Sequence, residues 1–358
     1  MKTTFRLTKI FGIDIEIHFT FLLLLAFFFA FLGWNGLALI VGVFFFVTMH
    51  ELCHSLVALH YGIKVKKVIL LPIGGVAQMP EMPKKPKQEL LISLAGPLSN
   101  IIVVIVFFYP LYALIGKDAL IHPFMVITGQ APYTAELNVL AHIYWINLIL
   151  AVFNMLPAFP MDGGRVVRAL LTYKLGYKEA THVAVKLGHI FALVFGYIGL
   201  VHGNILLLVI AVFIYMSASG EGVQVDIQET IKNYTIRDVL ADEFIRLDPD
   251  ASLGKVLEIM FHSHQEDFPV MEEGRMIGFL TRRRVVQAAH ERSKDVSCRD
   301  IMRHDIPAIY TDTSLDHVQK LMRKYMTTAM PVEDSGNIVG LVTLDDINRV
   351  YVMMNERG

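Results

Sequence analysis

The chain has 358 residues, of which 54% are hydrophobic and 18% charged, with a mean hydropathy of +0.51, and this excludes an ordinary soluble globular protein. A net charge of −1 offers no basic excess to displace counterions, so nucleic acid is excluded as a partner. Cys53 and Cys298 lie 245 positions apart, which excludes a disulfide framework.

The charge is unevenly spread. From Phe11 to Trp34 the only ionisable residues are Asp14, Glu16 and His18, whereas residues 224–358 are as charged as a cytosolic domain. A bilayer core about 30 Å thick needs about 20 apolar residues per helix. Six stretches meet this, roughly residues 17–34, 36–61, 88–115, 135–157, 181–201 and 204–219. The apolar run from Phe19 to Leu32 lacks a small-residue cleavage pattern and further apolar runs follow it, so it reads as a retained helix rather than a signal peptide.

Orientation follows from Lys and Arg in the short connections. With a cytoplasmic N-terminus, the inner segments carry Lys2, Arg6, Lys9, Lys64, Lys66, Lys67, Lys84, Lys85, Lys87, Arg165, Arg168, Lys174 and Lys178, and the outer loops carry Lys117. Thirteen against one places the N-terminus in the cytoplasm, and an even number of spans returns the polar tail there.

That tail is duplicated. Arg237-Asp238-Val239-Leu240 returns as Arg299-Asp300-Ile301-Met302, Phe268-Pro269-Val270 as Met330-Pro331-Val332, and Gly278-Phe279-Leu280-Thr281 as Gly340-Leu341-Val342-Thr343, each at an offset of 62. Each copy reads as an amphipathic helix (Leu253, Val256, Leu257 and Met260 in the first), a strand, a turn at Glu273-Gly274 or Ser335-Gly336, a second strand and another helix. The pattern resembles a tandem pair of cystathionine-β-synthase (CBS) domains.

The second apolar stretch contains His50-Glu51-Leu52-Cys53-His54, an H-E-x-x-H pattern. On a helix, residues i and i+4 share a face, so His50 and His54 can bind one Zn²⁺ while Glu51 reaches a water at the metal. Three ionisable residues within little more than one turn of a membrane helix are costly unless paired or ligated. The alternative is a pair of polar histidines at the cytoplasmic helix end. Cys53 falls to one side of the pair and reads as a small buried hydrophobe. A catalytic zinc needs a third protein ligand. Asp162, in Asn154-Met155-Leu156-Pro157-Ala158-Phe159-Pro160-Met161-Asp162-Gly163-Gly164, closes the fourth span on the same side of the membrane and is the best candidate.

H-E-x-x-H in one span with N-x-x-P-x-x-P-x-D-G-G in a later one resembles the site-2 protease family of intramembrane metalloproteases. The resemblance implies zinc ligands at His50, His54 and Asp162, a general base at Glu51, and an asparagine at Asn154 that steadies substrate or transition state; a helix-end hydrogen bond is the alternative for Asn154. It implies that the strand region Val68 to Gln78 offers an edge to an extended substrate. Ala95-Gly96-Pro97-Leu98-Ser99-Asn100 resembles the family's glycine-proline element, with close helix packing as the plainer reading. His142, Asn147, His182 and His189 read as core or interface residues.

CBS pairs commonly bind adenine nucleotides, and the resemblance implies ribose and hydroxyl contacts at Thr343 and Asp346. In the first copy Thr281 is followed by Arg284 where the aspartate would stand, within Arg282-Arg283-Arg284, and the arginines could hold phosphates instead. A dimerisation module without ligand is the alternative. The expected fold is a multi-pass α-helical membrane protein of six transmembrane helices (1–222) followed by a soluble α+β CBS pair (223–290 and 291–358). The expected function is a zinc endopeptidase of the cell membrane that cuts a transmembrane protein substrate within the lipid bilayer, gated by adenine nucleotide, with a homodimer through the CBS domains. A regulated ion transporter is the rival, and it leaves Glu51 without a role.

Overall fold

The computed structural model describes residues 4–72, 74–78, 85–127, 138–240, 243–291 and 294–355. Lys2, Ile73, Lys84 and residues 135–137 and 356–358 of the expected segments lie outside them. The chain divides into two compact units, Met1–Val223 and Gln224–Gly358.

The first unit opens with β1 (Thr4–Ile10) and β2 (Ile13–His18) and enters α1 (Phe19–His60). β3 (Lys67–Leu71), β4 (Gly74–Gln78), α2 (Pro86–Ile127), α3 (Val139–Asn154), α4 (Asp162–Leu175), α5 (Tyr177–Val201) and the larger part of α6 (Ile205–Lys232) follow. The first strands precede the expected first span, and their signal is strict alternation, as in Ile13-Asp14-Ile15-Glu16-Ile17. Ile13 and Ile15 are buried against Val68 and Leu70, while Glu16 pairs with Lys67 at 2.8 Å. The sheet has the order β1-β2-β3-β4, with β2 parallel to β3 and the other pairs antiparallel. β4 is therefore an edge strand.

Helix α1 is a hairpin. Gly33 leaves the helical region at φ 59° and ψ −146°, and a Cβ on Gly36 would lie 2.4 Å from the Phe28 carbonyl oxygen. The rings of Phe21 and Phe44 stand 4.6 Å apart, whereas 23 residues of straight helix would separate them by roughly 35 Å. The expected spans 17–34 and 36–61 are thus the two arms of one element, divided by a glycine that tolerates positive φ. Among the described residues, four helices are long and apolar enough to cross a membrane, α1, α2, α5 and α6, and α3 is a shorter apolar helix. Six were expected; the difference lies in the two arms of α1 and in the 16 residues of α3, whose span was expected from 135 to 157. The sixth stretch, expected to end at 219, continues as helix to Lys232. Helix α4 lies outside the expected spans, because its amphipathic sequence contains no long apolar run.

The second unit contains a 3₁₀ turn (Ile236–Asp238), α7 (Leu253–His262), β5 (Phe268–Glu272), β6 (Arg275–Leu280), α8 (Arg282–Glu291), α9 (Cys298–Ile301), β7 (Ile309–Tyr310), α10 (Leu315–Tyr325), β8 (Ala329–Asp334), β9 (Asn337–Thr343) and α11 (Leu344–Asn355). Hairpins β5–β6 and β8–β9 repeat each other in register, Phe268 facing Leu280 as Met330 faces Val342. Both carry an irregularity at the same place, Val270/Met271 and Val332/Glu333. Both turn through two residues of positive φ, Glu273-Gly274 and Ser335-Gly336, the backbone that matches strand twist in a two-residue hairpin. Asp267 departs from the repeat. Its buried carboxylate accepts from the Arg282 amide in the first copy and from Thr327, Thr328 and the Ala329 amide in the second.

Candidate metal centre

The second arm of α1 carries His50 and His54 one turn apart, and their Nε2 atoms lie 3.1 Å from each other. Asp162 is the first residue of α4, 108 positions further on, and its Oδ2 stands 3.1 Å from Nε2 of His54 and 3.2 Å from Nε2 of His50. All three side chains are buried or nearly so. The glycines after Asp162 explain its placement. A Cβ on Gly163 would lie 2.2 Å from the Leu156 carbonyl oxygen, and one on Gly164 would lie 2.5 Å from the Ala158 carbonyl carbon. Only glycine lets the first turn of α4 press on the loop that follows α3 and turn its leading carboxylate toward α1.

The ring nitrogens facing away from this point are both held. His50 Nδ1 lies 2.7 Å from Asn100 Oδ1, and His54 Nδ1 lies 2.6 Å from the Ile92 carbonyl oxygen. Each oxygen accepts, so each Nδ1 donates and each Nε2 turns its lone pair inward. Two imidazole nitrogens and a carboxylate oxygen converge as these three residues do. A tetrahedral zinc about 2.0–2.1 Å from each ligand would hold them roughly 3.3 Å apart. The donor set and its spacing fit that ion.

Gly96 on α2 faces the same point, since a Cβ there would sit 2.2 Å from His54 Nε2 and 2.6 Å from His50 Nε2. Glu51 packs on the edge strand, where a Cβ on Gly75 would meet its Cγ at 2.6 Å. Asn154 ends α3 and, among the described residues, takes no part in the hydrogen-bonded cluster. Cys53 is a free thiol outside it. Among the remaining polar residues of the apolar helices, His142 bonds to the Asn138 carbonyl and His189 to Ser219.

Asn147, read from sequence as a core residue, bonds to Asn100 and so connects to the histidines. Arg168 was anticipated only as an inner-side charge. It is 1% exposed, bonds through Nε to Glu89 at 2.7 Å, reaches Glu221 at 3.4 Å, and lies over the rings of Phe159 and Tyr177, each 4.8 Å away. Neither residue has a local sequence signal, because their partners lie on other helices.

In the second unit a cavity of about 510 Å³ is lined by Thr281, Arg283, Arg284, Gln287, Met302, Arg303, His304, Asp305 and Met326. Arg303 is occupied by a bidentate pair with Asp305 and by the Tyr325 carbonyl. That guanidinium, with Arg284 beside it, holds the Asp305 carboxyl below its ordinary value. Arg284 donates its amide to Thr281, and among the described residues its guanidinium makes no ion pair. Thr343 and Asp346 bond to each other, side chain to backbone in both directions.

The model of peptidase family M50 matches residues 38–195, and that of the CBS domain matches residues 236–291 and 298–352. Zinc metalloprotease MJ0392 of Methanocaldococcus jannaschii is 33% identical over 361 residues, covering 99% of this chain and 98% of the relative. Stage IV sporulation protein FB of Bacillus subtilis is 28% identical over 151 residues, 42% of this chain and 46% of the relative. The solved site-2 protease from Methanocaldococcus jannaschii is 38% identical, with 61% of this chain and 95% of that one covered at a TM-score of 0.44. The chain therefore belongs to peptidase family M50, the site-2 protease family, and is a membrane zinc metalloprotease that carries a tandem pair of CBS domains.

Proposed function

We propose that residues 1–222 form an intramembrane endopeptidase that hydrolyses peptide bonds within or near transmembrane segments of other membrane proteins, and that the CBS domains at 223–290 and 291–358 gate it by binding an adenine nucleotide. The observation that carries the catalytic half is the convergence of His50, His54 and Asp162 on one point from α1 and α4. These three would hold Zn²⁺, which when bound supplies Lewis acidity to the scissile carbonyl and to a water. Glu51, next in sequence to a ligand, takes the proton of the attacking water on its carboxylate and delivers it to the leaving amine nitrogen. Asn154 donates an amide hydrogen to the oxygen on which charge develops. Gly163, Gly164 and the loop before them hold Asp162 in position, and irregular backbone at membrane depth suits a watered cavity.

The substrate must be extended to be cut, since amides in a helix are already hydrogen-bonded. Edge strand β4 packs on Glu51, and among the described residues no strand pairs with its outer side, which suits it to receive an added strand. The Lys and Arg distribution supports a cytoplasmic N-terminus and tail with the chain crossing the bilayer six times. The cavity beside Thr281, of a size that suits a small ligand, supports nucleotide binding, with Arg283 and Arg284 on the phosphates. Thr343 and Asp346 serve the second half-site, and a second copy joins through the CBS pair.

The test is cleavage of a model transmembrane substrate by the purified full chain in detergent with Zn²⁺, with and without adenine nucleotide. Cleavage by wild type that is abolished by Glu51→Gln and by a chelator, and altered by nucleotide, is the expected result. Cleavage that survives Glu51→Gln would overturn the assignment of the base.

A further inference from the structure

His54 and His50 are oriented in different ways. His54 donates from Nδ1 directly to a backbone carbonyl, that of Ile92 at 2.6 Å. A carbonyl has no second sense, so in the neutral ring the proton sits on Nδ1 and the lone pair of His54 falls on Nε2. His50 instead faces the side-chain amide of Asn100 at 2.7 Å. An amide can present either an acceptor or a donor, and if Asn100 turned its amino group to His50, Nδ1 would have to accept and the ring proton would move to Nε2. A protonated Nε2 cannot ligate a metal.

The sense is set one residue further away. Asn147 on α3 bonds through Nδ2 to the Ile143 carbonyl oxygen, 3.0 Å away and one turn back on the same helix. That carbonyl only accepts, so the amino group of Asn147 must face it and its Oδ1 must face Asn100, which it meets at 3.0 Å. Asn100 is thereby obliged to offer Nδ2 to Asn147 and Oδ1 to His50. Both asparagines are 1% exposed, so bulk solvent does not reach either amide. The relay crosses α3, α2 and α1 and ends, as the direct bond of His54 does, on a backbone carbonyl.

We propose that Asn147 is a positioning residue that, through Asn100, fixes His50 in the tautomer with its proton on Nδ1 and its Nε2 lone pair turned to the ligand point. The inference rests on the reading of His50, His54 and Asp162 as zinc ligands. It assigns Asn147 no contact with substrate and no proton transfer.

The test measures Zn²⁺ affinity of the full chain in detergent by competition with a chelator, for wild type, Asn147→Leu, and Asn147→Leu combined with Asn100→Asp. Losing an orienting partner beyond the ligands is expected to weaken zinc about 10-fold in Asn147→Leu. A carboxylate accepts at both oxygens and needs nothing to orient it, so Asn100→Asp in the same chain is expected to restore affinity to within about threefold of wild type. A merely structural role for Asn147 would not be rescued at a different residue. Wild-type affinity in Asn147→Leu, or no recovery in the double variant at unchanged thermal stability, overturns the relay.

A second measurement needs no variant at the relay. The ¹⁵N shifts of the His50 ring in metal-free wild type at alkaline pH, assigned by their loss in His50→Gln, are expected to show a protonated Nδ1 and a bare Nε2. The opposite tautomer overturns the proposal whatever the variants do. If wild type binds no zinc, or binds it undiminished in His54→Ala, the ligand reading fails and the relay falls with it, an outcome distinct from tight wild-type binding that Asn147→Leu leaves untouched.

Discussion

The place a Cβ would take on Gly96 lies 2.2 Å from Nε2 of His54, on the side of the ring that faces Asp162. Gly96 is thus a wall of the ligand point rather than only a packing residue. Gly96→Ala is favoured by helix propensity by up to about 1 kcal/mol, but its methyl must displace the imidazole. Displacements of about an ångström at a reacting centre cost on the order of 100-fold in rate. The variant is expected to lose bound zinc, measured by metal analysis of the purified chain, and to lose cleavage by at least that factor.

Arg168 bridges Glu89 on α2 and Glu221 on α6 from a position on α4, with its side chain 2% exposed. Truncating it leaves Glu89, whose side chain is 4% exposed, as a buried charge without its partner. Arg168→Met is expected to destabilise the first unit by about 3–5 kcal/mol, seen as a lower midpoint of thermal inactivation in detergent. Adding Glu89→Gln should recover part of the loss, since the orphaned charge is then gone.

Asp267 joins the two CBS copies through five hydrogen bonds to one buried carboxylate. Asp267→Ala strands those donors and is expected to cost about 3 kcal/mol or more. Asp267→Asn, which keeps one acceptor oxygen, should cost roughly half as much by the same reasoning. Hydrogen exchange at the Ala329 amide in the full chain checks both, with faster exchange expected in the order wild type, Asn, Ala.

Asp238 closes the turn at Thr235, accepting from its amide at 2.7 Å and its hydroxyl at 3.0 Å, and these bonds hold its carboxyl below the ordinary value. A carboxyl lowered in the folded state contributes stability that is present above its unfolded value, about 3.9, and is lost as pH falls through the folded one. Protection of the Thr235 amide is expected to be flat from neutral pH down to that range and to drop below it. Asp238→Asn should abolish the pH dependence.

The parts of this protein that were legible before folding are those whose physics is local. His50 and His54 share a helix face because they are four residues apart, and the paired hairpins repeat because positions 268–281 and 330–343 carry the same pattern of strand and turn residues. The alternation in residues 13–17 is equally local, but it is too short and too polar to count toward a membrane span. Gly33 lies inside the first expected span, 17–34, close to its end, and that boundary does not say that the arms fold back until Phe21 meets Phe44.

What only the tertiary structure decided are the relationships that cross helices. The distance of 3.1 Å between His54 and Asp162 spans 108 residues of chain. Asn147 resembled any buried amide until its partner was placed on α2, and Arg168 resembled a topology charge until Glu89, Phe159 and Tyr177 surrounded it. A sequence determines which groups can donate, accept or ligate, because those are properties of single residues. Which of them meet depends on where the helices turn and how closely they pack, and here Gly33 sets the turn by its positive φ, while Gly96, Gly163 and Gly164 set the packing by leaving room where a side chain would not fit.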